Sequence, residues 1–319
     1  MLEVELDIFS GMPNPKWILT RKEERELTER IQAAPEQVSP LFTSEERLGL
    51  GYRGFIIRLL KEDDGPWSRS QYSTQSPLPA EFRVGSAPTA VESSVAHWLL
   101  ETSARRVGLE DELISAASGG VRLVPSPSED SYPHVGDSHF DEQENPSVRG
   151  TWLEGEQCPA ADSLHLDNGA FFNDPQHVGK NNCYCFACNY RPDSRYARPG
   201  RYAGRPARDV SVGEIVAGLR ADGWRDTCQS PQGLTIGAAI WPGQDYHFWR
   251  LLSNGNEWLW GHKQGATPVR YDDESGWVIK KYVTGPGSYI WIHPESCNRT
   301  PYSVFLGFFY QKNSTAFCS

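Results

Sequence analysis

The C-terminal half of the chain carries residue types and spacing that suit nucleophilic catalysis by a thiol. Cys183 follows Asn181 and Asn182, which are good helix N-caps, so its thiol is expected at the first helical position. The positive end of a helix dipole lowers a thiol pKa and favours the thiolate. His247 and His262 follow in two strand-like segments. We therefore predict that Cys183 attacks an acyl carbon, with His247 as its base and then as acid to the leaving group.

Such a pair needs supporting groups, and the sequence offers several. A third residue must hold His247 in the correct tautomer, and either His262 or Asp245 is suitable. Asp245 lies two positions before His247 in a predicted strand, which places both side chains on one face. The backbone N–H of Cys183, aided by Asn181 or Asn182, is placed to stabilise an oxyanion. The predicted catalytic residues are listed together: Cys183, His247, His262, Asp245 and Asn182.

Two other interpretations of the cysteines stay open. Cys185 is the second candidate nucleophile, and Cys188, one turn further, suits apolar packing. Together with His177 these cysteines allow a metal site, but one helical turn cannot supply tetrahedral geometry alone, so no metal or other cofactor is predicted. The structural alternative has packed or paired cysteines and histidines hydrogen-bonded within an aromatic-rich sheet.

Alternating apolar residues predict the sheet on which this helix packs. Residues 234–241 are apolar on both faces and predict a central strand, followed by strands over residues 246–252, 257–263, 277–282 and 304–310. The chain contains 11 Trp, 13 Tyr and 13 Phe, and many of the Trp fall in this region. We expect an α+β domain with a helix-borne cysteine packed on an aromatic-rich antiparallel sheet.

The N-terminal half predicts a separate small α+β module over residues 1–122. Residues 2–8 alternate apolar and acidic residues as in a half-buried strand, and residues 9–15 form a turn rich in Gly and Pro. Thr20 and Glu23 form a capping box that predicts a helix start. Residues 123–150 are acidic and rich in Pro and Ser, as in a linker before a domain over residues 151–319. A cation site at Asp137, Asp141, Glu142 and Glu144 is the alternative for that segment.

Charge and hydropathy exclude some partners. The net charge of −10 disfavours nucleic acid, and no segment is long and apolar enough to predict a membrane span. Residues 1–8 do not resemble a signal-peptide core, which predicts a cytoplasmic protein or export without a cleavable signal. Residues 195–206 are rich in Gly and Arg, so they form either an exposed loop or a flap whose arginines meet an anionic substrate group.

Several motifs resemble a family of bacterial and social-amoeba proteins. In the N-terminal half they are Phe9-Ser-Gly-x-Pro-Asn-Pro-x-Trp17, Gly51-Tyr-Arg-Gly54 and the helix with Trp98-Leu-Leu. In the C-terminal half they are Asn173-Asp-Pro, Asn181-Asn-Cys-Tyr184, Pro199-Gly200, Asp245-Tyr-His247 with Arg250, and His262-Lys-x-Gly265-x-Thr-Pro268. This resemblance covers most of the chain and implies no particular activity.

The order of a helix cysteine followed by strand histidines is similar to that of papain-like cysteine peptidases and amidases. This resemblance implies a papain-like α+β domain over residues 151–319. It also implies a cysteine-dependent amide hydrolase or acyltransferase that acts on a protein, peptide or other amide-containing substrate. The alternative function is a non-catalytic binding or toxin-like protein whose aromatic-rich sheet recognises a carbohydrate or protein surface. The distance between Cys183 and His247 separates these two hypotheses.

Overall fold

A computed structural model describes residues 1–41, 50–60, 78–85, 93–120, 168–228, 233–253, 258–285 and 288–319. The chain forms two units, residues 1–8 with 14–124 and residues 9–13 with 125–319. Both contain helices and antiparallel sheet, which confirms the α+β class. The predicted linker, with the four acidic residues of the alternative cation site, lies outside the described residues.

Unit 1 is built on a five-stranded antiparallel sheet in the order β2-β1-β4-β5-β3. Its strands are β1 (Leu2–Leu6), β2 (Lys16–Ile18), β3 (Val38–Ser39), β4 (Phe55–Leu59) and β5 (Glu81–Val84). Its helices are α1 (Arg21–Ala33), α2 (Ser94–Leu99) and α3 (Asp111–Gly120). The predicted capping box is confirmed, since the Thr20 side chain accepts from Glu23 N–H and Glu23 bonds back to Thr20 N–H.

The alternating pattern predicted that the acidic residues at the start of the chain face solvent, but the structure buries two of them. Glu5 and Asp7 are both buried. Arg53 Nη2 donates to Asp7 Oδ1 and Arg83 Nη1 donates to Asp7 Oδ2, each at 2.7 Å. Burial alone would raise the pKa of Asp7, but the two guanidinium groups hold that pKa well below its usual value. Unit 1 therefore keeps a charged carboxylate in its interior by pairing it with two cations.

Unit 2 carries a second five-stranded antiparallel sheet in the order β12-β6-β7-β8-β9. These strands are β6 (Leu234–Trp241), β7 (Asp245–Ser253), β8 (Trp258–Lys263), β9 (Val269–Arg270) and β12 (Val304–Gln311). A separate hairpin pairs β10 (Lys281–Gly285) with β11 (Ser288–Trp291), four positions later than the strand predicted at residue 277. Every residue of β6 is buried, as its apolar sequence predicts.

Three short or medium helices pack with this sheet: α4 (Asn168–Asn173), α5 (Cys183–Ala187) and α6 (Val212–Ala221). α5 contacts β7 and β8 and is buried over its whole length. Within the described residues, no helix is long and apolar enough to cross a membrane.

Candidate functional site

The predicted catalytic residues lie on opposite faces of the unit 2 sheet. Side chains alternate along β7, so Tyr246 and Phe248 point to one face and His247 to the other. α5 packs on the face of Tyr246 and Phe248, where Cys183 belongs to the same apolar cluster. On the other face the His247 ring packs against Trp249, with ring centroids 4.5 Å apart. The sheet therefore lies between the thiol and its predicted base.

The environment of Cys183 contradicts the predicted thiolate. Its thiol is fully buried and donates to the carbonyl of Tyr246 at 3.6 Å, not to His247. Burial raises the pKa of Cys183 well above its usual value, and the negative charge of Asp245 raises it further. α5 has only five residues, so its dipole does not offset this desolvation. The predicted lowering of the Cys183 pKa is wrong.

The two asparagines before Cys183 serve the backbone. Asn182 is the predicted N-cap, and its Oδ1 accepts from Cys185 N–H at 3.1 Å. Its Nδ2 donates to the carbonyl of Ala197 at 2.8 Å. Asn181 is also buried and binds Asp193 through both atoms of its amide. These contacts use the amides for folding, and an oxyanion role for Asn182 stays a prediction.

The structure does bring the two predicted histidines together. His247 Nε2 lies 3.0 Å from His262 Nδ1, and His262 Nε2 lies 2.8 Å from the carbonyl of Asp272. A carbonyl only accepts, so neutral His262 carries its proton on Nε2 and accepts from His247 Nε2–H through Nδ1. Adjacent antiparallel strands explain this contact, since Trp249 pairs with His262 across β7 and β8.

This histidine pair lies in the interior of unit 2. Both rings are fully buried, and the Tyr302 ring lies 5.2 Å from that of His247. Burial lowers the pKa of His262 to about 4, and the positive charge of Arg270 lowers it further. The imidazolium that acyl transfer would need on this pair is therefore disfavoured.

Asp245, the other predicted partner of His247, accepts hydrogen bonds from three backbone N–H groups and a tyrosine. Its carboxylate accepts from the backbone N–H groups of Ser10, Gly11 and Met12 at 2.5, 3.0 and 2.8 Å. The Tyr302 hydroxyl donates to it at 2.6 Å. Burial raises the pKa of Asp245 to about 6, although these four donors favour the carboxylate. The prediction that Asp245 orients His247 is not supported by these contacts.

A group of thiols lies on the α5 face. The thiols of Cys185, Cys188 and Cys318 are close enough to shift one another's pKa, and all three are buried. His177, the fourth residue of the metal alternative, instead contacts the Asp193 carboxylate at 2.9 Å. In the parts of the chain that the structure describes, no group of three or more Cys, His, Asp or Glu is arranged to hold a metal.

Arg250 is buried on the same face. Its Nη1 donates to the carbonyl of Phe186 at 2.6 Å, and its guanidinium lies 4.2 Å from the centroid of the Phe186 ring. Burial lowers the pKa of Arg250 to about 9. The Arg250 guanidinium on the α5 face therefore contacts a carbonyl oxygen and aromatic rings.

Comparison with known proteins adds one relative. The chain is 37% identical over 130 residues to insoluble matrix shell protein 1 of Ruditapes philippinarum, and the match covers 40% of this chain and 77% of that protein. The chain belongs to the family of this shell protein. No protein-family model and no solved structure matches the chain. The resemblance to bacterial and social-amoeba proteins stays a prediction.

One surface of this shell-matrix family member was not predicted. Tyr202 and Phe317 are 58% and 51% exposed, and their rings stack at 5.3 Å with an interplanar angle of 24°. Tyr190 meets the same Phe317 ring edge-on at 5.2 Å. We call these three residues the aromatic surface. A Gly- and Arg-rich segment marks Tyr202 in the sequence, but nothing local brings Phe317 to it.

The backbone that presents the aromatic surface is anchored. The Asp222 carboxylate accepts from Gly200 N–H at 2.6 Å and from Ala203 N–H at 3.2 Å. Ala316 N–H donates to the carbonyl of Cys188 at 2.9 Å, which fixes the segment before Phe317. Residues 201–206 are exposed, as the loop alternative predicted. The aromatic rings are therefore exposed on a hydrogen-bonded support.

Proposed function

We propose that this protein is a non-catalytic binding protein that attaches to a matrix polysaccharide through the aromatic surface. The observation that carries the proposal is the exposed, stacked pair of Tyr202 and Phe317. Large aromatic side chains are normally buried, and an exposed cluster of them is typical of a binding surface. The flat faces of such rings pack against the C–H groups of a sugar ring.

The anchored support favours binding over accidental exposure. Asp222 holds the turn that carries Tyr202, and the hydrogen bond from Ala316 N–H to Cys188 holds the segment that carries Phe317. A surface held in its binding conformation loses little conformational entropy when it captures a ligand. Trp249 and Trp260 of the sheet are fully buried, so we base the proposal on the aromatic surface and not on the sheet.

The relative and the buried thiol both support a binding role. The name of the relative places that protein in an insoluble shell matrix. We propose a similar matrix attachment here, which favours export over a cytoplasmic location. The cysteine hydrolase interpretation stays a prediction, and the burial of Cys183 on the face opposite His247 does not favour it.

The test is co-sedimentation of the full chain with insoluble chitin and cellulose. Tyr202→Ala combined with Phe317→Ala is expected to weaken binding at least about tenfold, because aromatic residues dominate such interfaces. Phe171→Ala is the matched control, since Phe171 is 44% exposed and lies outside the aromatic surface.

The outcomes separate the surface from its ligand. Equal binding by the double variant and the wild type would exclude the aromatic surface. Loss of binding in the Phe171 control as well would indicate general misfolding. If neither polysaccharide binds but gelatin does so through Tyr202 and Phe317, the ligand is a protein and the polysaccharide assignment is wrong.

A further inference from the structure

A short segment of the chain is held in unit 2 as a bound peptide would be. Residues 9–13 belong to unit 2, although the residues before and after them belong to unit 1. Three successive N–H groups, of Ser10, Gly11 and Met12, donate to the buried carboxylate of Asp245. Three successive donors on one carboxylate fix the backbone conformation of the segment.

The surroundings of Gly11 exclude any side chain at this position. A Cβ added to Gly11 would lie 2.2 Å from Cε2 of Tyr246. The Gly11 carbonyl lies 3.2 Å from the Tyr246 hydroxyl and 3.4 Å from Asn182 Nδ2. The tyrosine ring therefore recognises glycine both by close approach and by a hydrogen bond to its carbonyl.

The residues before Gly11 are also recognised. Ser10 Oγ lies 2.9 Å from the Tyr302 hydroxyl, which itself donates to Asp245. The Phe9 ring meets Trp241 edge-on, with ring centroids 6.1 Å apart. We call the group formed by Asn182, Trp241, Asp245, Tyr246 and Tyr302 the Asp245 slot. It contacts an aromatic residue, a serine and a glycine in that order.

We infer that the Asp245 slot is a peptide-binding site, and that residues 9–13 of a second copy of this chain fill it and link the two chains. All of the contacts above are made by residues 9–12, so none of them requires covalent continuity with the slot. Every copy carries both the segment and the slot, which allows reciprocal exchange of the segment between chains. The inference rests on the slot alone and is independent of the aromatic surface.

Concentration decides which segment fills the slot. The chain's own segment is tethered to its slot, which gives it an effective concentration on the order of millimolar. A second copy competes only when the protein itself approaches that concentration. Linking is therefore expected in a concentrated phase and not in dilute solution.

The first experiment empties the slot in the full chain. Gly11→Leu is expected to expel the segment because of the clash with Tyr246. A fluorescent synthetic peptide of residues 7–15 should then bind this variant with 1:1 stoichiometry, and at least about tenfold more weakly to the wild type, whose slot is filled. Gly179→Leu is the control, since a Cβ there meets nothing within 4 Å and the slot stays filled.

Two changes test the chemistry of recognition. Asp245→Asn, added to the Gly11→Leu variant, should weaken peptide binding at least about tenfold, because hydrogen bonds to a charged acceptor are lost. A peptide with leucine in place of its glycine should not bind. A Gly11→Leu variant with native near-ultraviolet circular dichroism that binds no peptide would overturn the inference.

The second experiment needs no substitution at Gly11. It tests exchange of the segment between chains even if the Gly11→Leu variant does not fold. The chain contains two methionines, Met1 and Met12, so photo-methionine labels the segment itself. Chains with ¹⁴N and ¹⁵N are mixed at about millimolar concentration, irradiated and analysed by mass spectrometry. Mixed-isotope cross-links from Met12 to slot peptides, lost on dilution, are expected. Only same-isotope cross-links at this concentration would overturn exchange between chains.

Discussion

Each unit buries an aspartate, but the two environments shift the pKa of that aspartate in opposite directions. Asp7 in unit 1 contacts two guanidinium groups, which hold its pKa well below the usual value despite burial. Asp245 in unit 2 contacts only neutral donors, and burial raises its pKa to about 6. Full charges offset the desolvation of a carboxylate, whereas four dipoles offset only part of it.

The same contrast extends to three other fully buried groups of unit 2. Burial raises the pKa of Cys183, lowers that of His262 to about 4, and lowers that of Arg250 to about 9. Each shift is toward the neutral form. A thiol hydrolase needs the reverse, a thiolate beside an imidazolium. The surroundings of these three groups therefore disfavour the thiolate and imidazolium that a thiol hydrolase needs.

The largest expected effect is the loss of the charged partner in unit 1. Asp7→Ala should destabilise this unit by about 3–5 kcal/mol, because two buried guanidinium groups lose their carboxylate. Hydrogen-exchange mass spectrometry of residues 1–8 and 50–60 measures this locally. Glu26→Ala, which removes an exposed pair with Arg30, is the control and should cost less than about 0.5 kcal/mol. A cost below about 1 kcal/mol for Asp7→Ala would contradict the charge-pairing argument.

A smaller cost in stability is expected at Asp245, whose partners are neutral hydrogen-bond donors. Asp245→Asn should destabilise unit 2 by about 1–3 kcal/mol, since an amide N–H₂ in place of one carboxylate oxygen leaves buried donors without an acceptor.

The two aspartates should also differ in the sign of their pH dependence. The folded pKa of Asp245 is raised to about 6 from 3.8, so its contribution is complete below pH 3.8 and is lost as the pH rises through 6. The cost of Asp245→Asn should therefore be larger at pH 4 than at pH 7. Asp7 has the opposite sign, because its lowered pKa contributes stability above pH 3.8 that is lost in stronger acid. Urea titrations across this range measure both, and equal slopes would remove the contrast.

Breaking the histidine pair is expected to destabilise unit 2 about as much as Asp245→Asn does, or less. His262→Gln should cost about 2 kcal/mol at pH 7, where the neutral ring bonds both His247 and Asp272. The folded pKa of His262 is lowered to about 4 from 6.5, so wild-type stability falls as the pH drops from 6.5 to 4. The variant lacks this loss, and its cost should shrink toward pH 4. Trp249→Phe removes no titratable group and serves as control.

Local sequence signals predicted the parts of this structure that depend on neighbouring residues. Thr20 and Asn182 both cap helices as their sequence context indicates. The contact between His247 and His262 followed from two successive antiparallel strands. In each case the physical cause acts within one helical turn or between adjacent strands, and a single sequence contains that information.

Contacts between residues far apart in the chain could not be predicted from the sequence patterns. Strand alternation assigns His247 to one face of the sheet but does not say on which face α5 packs. The donors to Asp245 lie 233 to 235 positions earlier in the chain, so no spacing rule connects them. Cys318 approaches Cys185 in the same way. Tertiary packing decided these contacts, and with them the chemistry of the site.

The smallest expected signal, and the most direct for function, is the labelling of Cys183 by iodoacetamide. Its thiol is buried and its pKa is raised, so native protein at pH 7 should label Cys183 no faster than Cys297, which is also buried with a raised pKa. In urea all described thiols should label alike, which controls for intrinsic reactivity. Preferential labelling of Cys183 in the native state would mean that it carries thiolate character, and the contrast between the two units would then fail at the residue predicted to be the nucleophile.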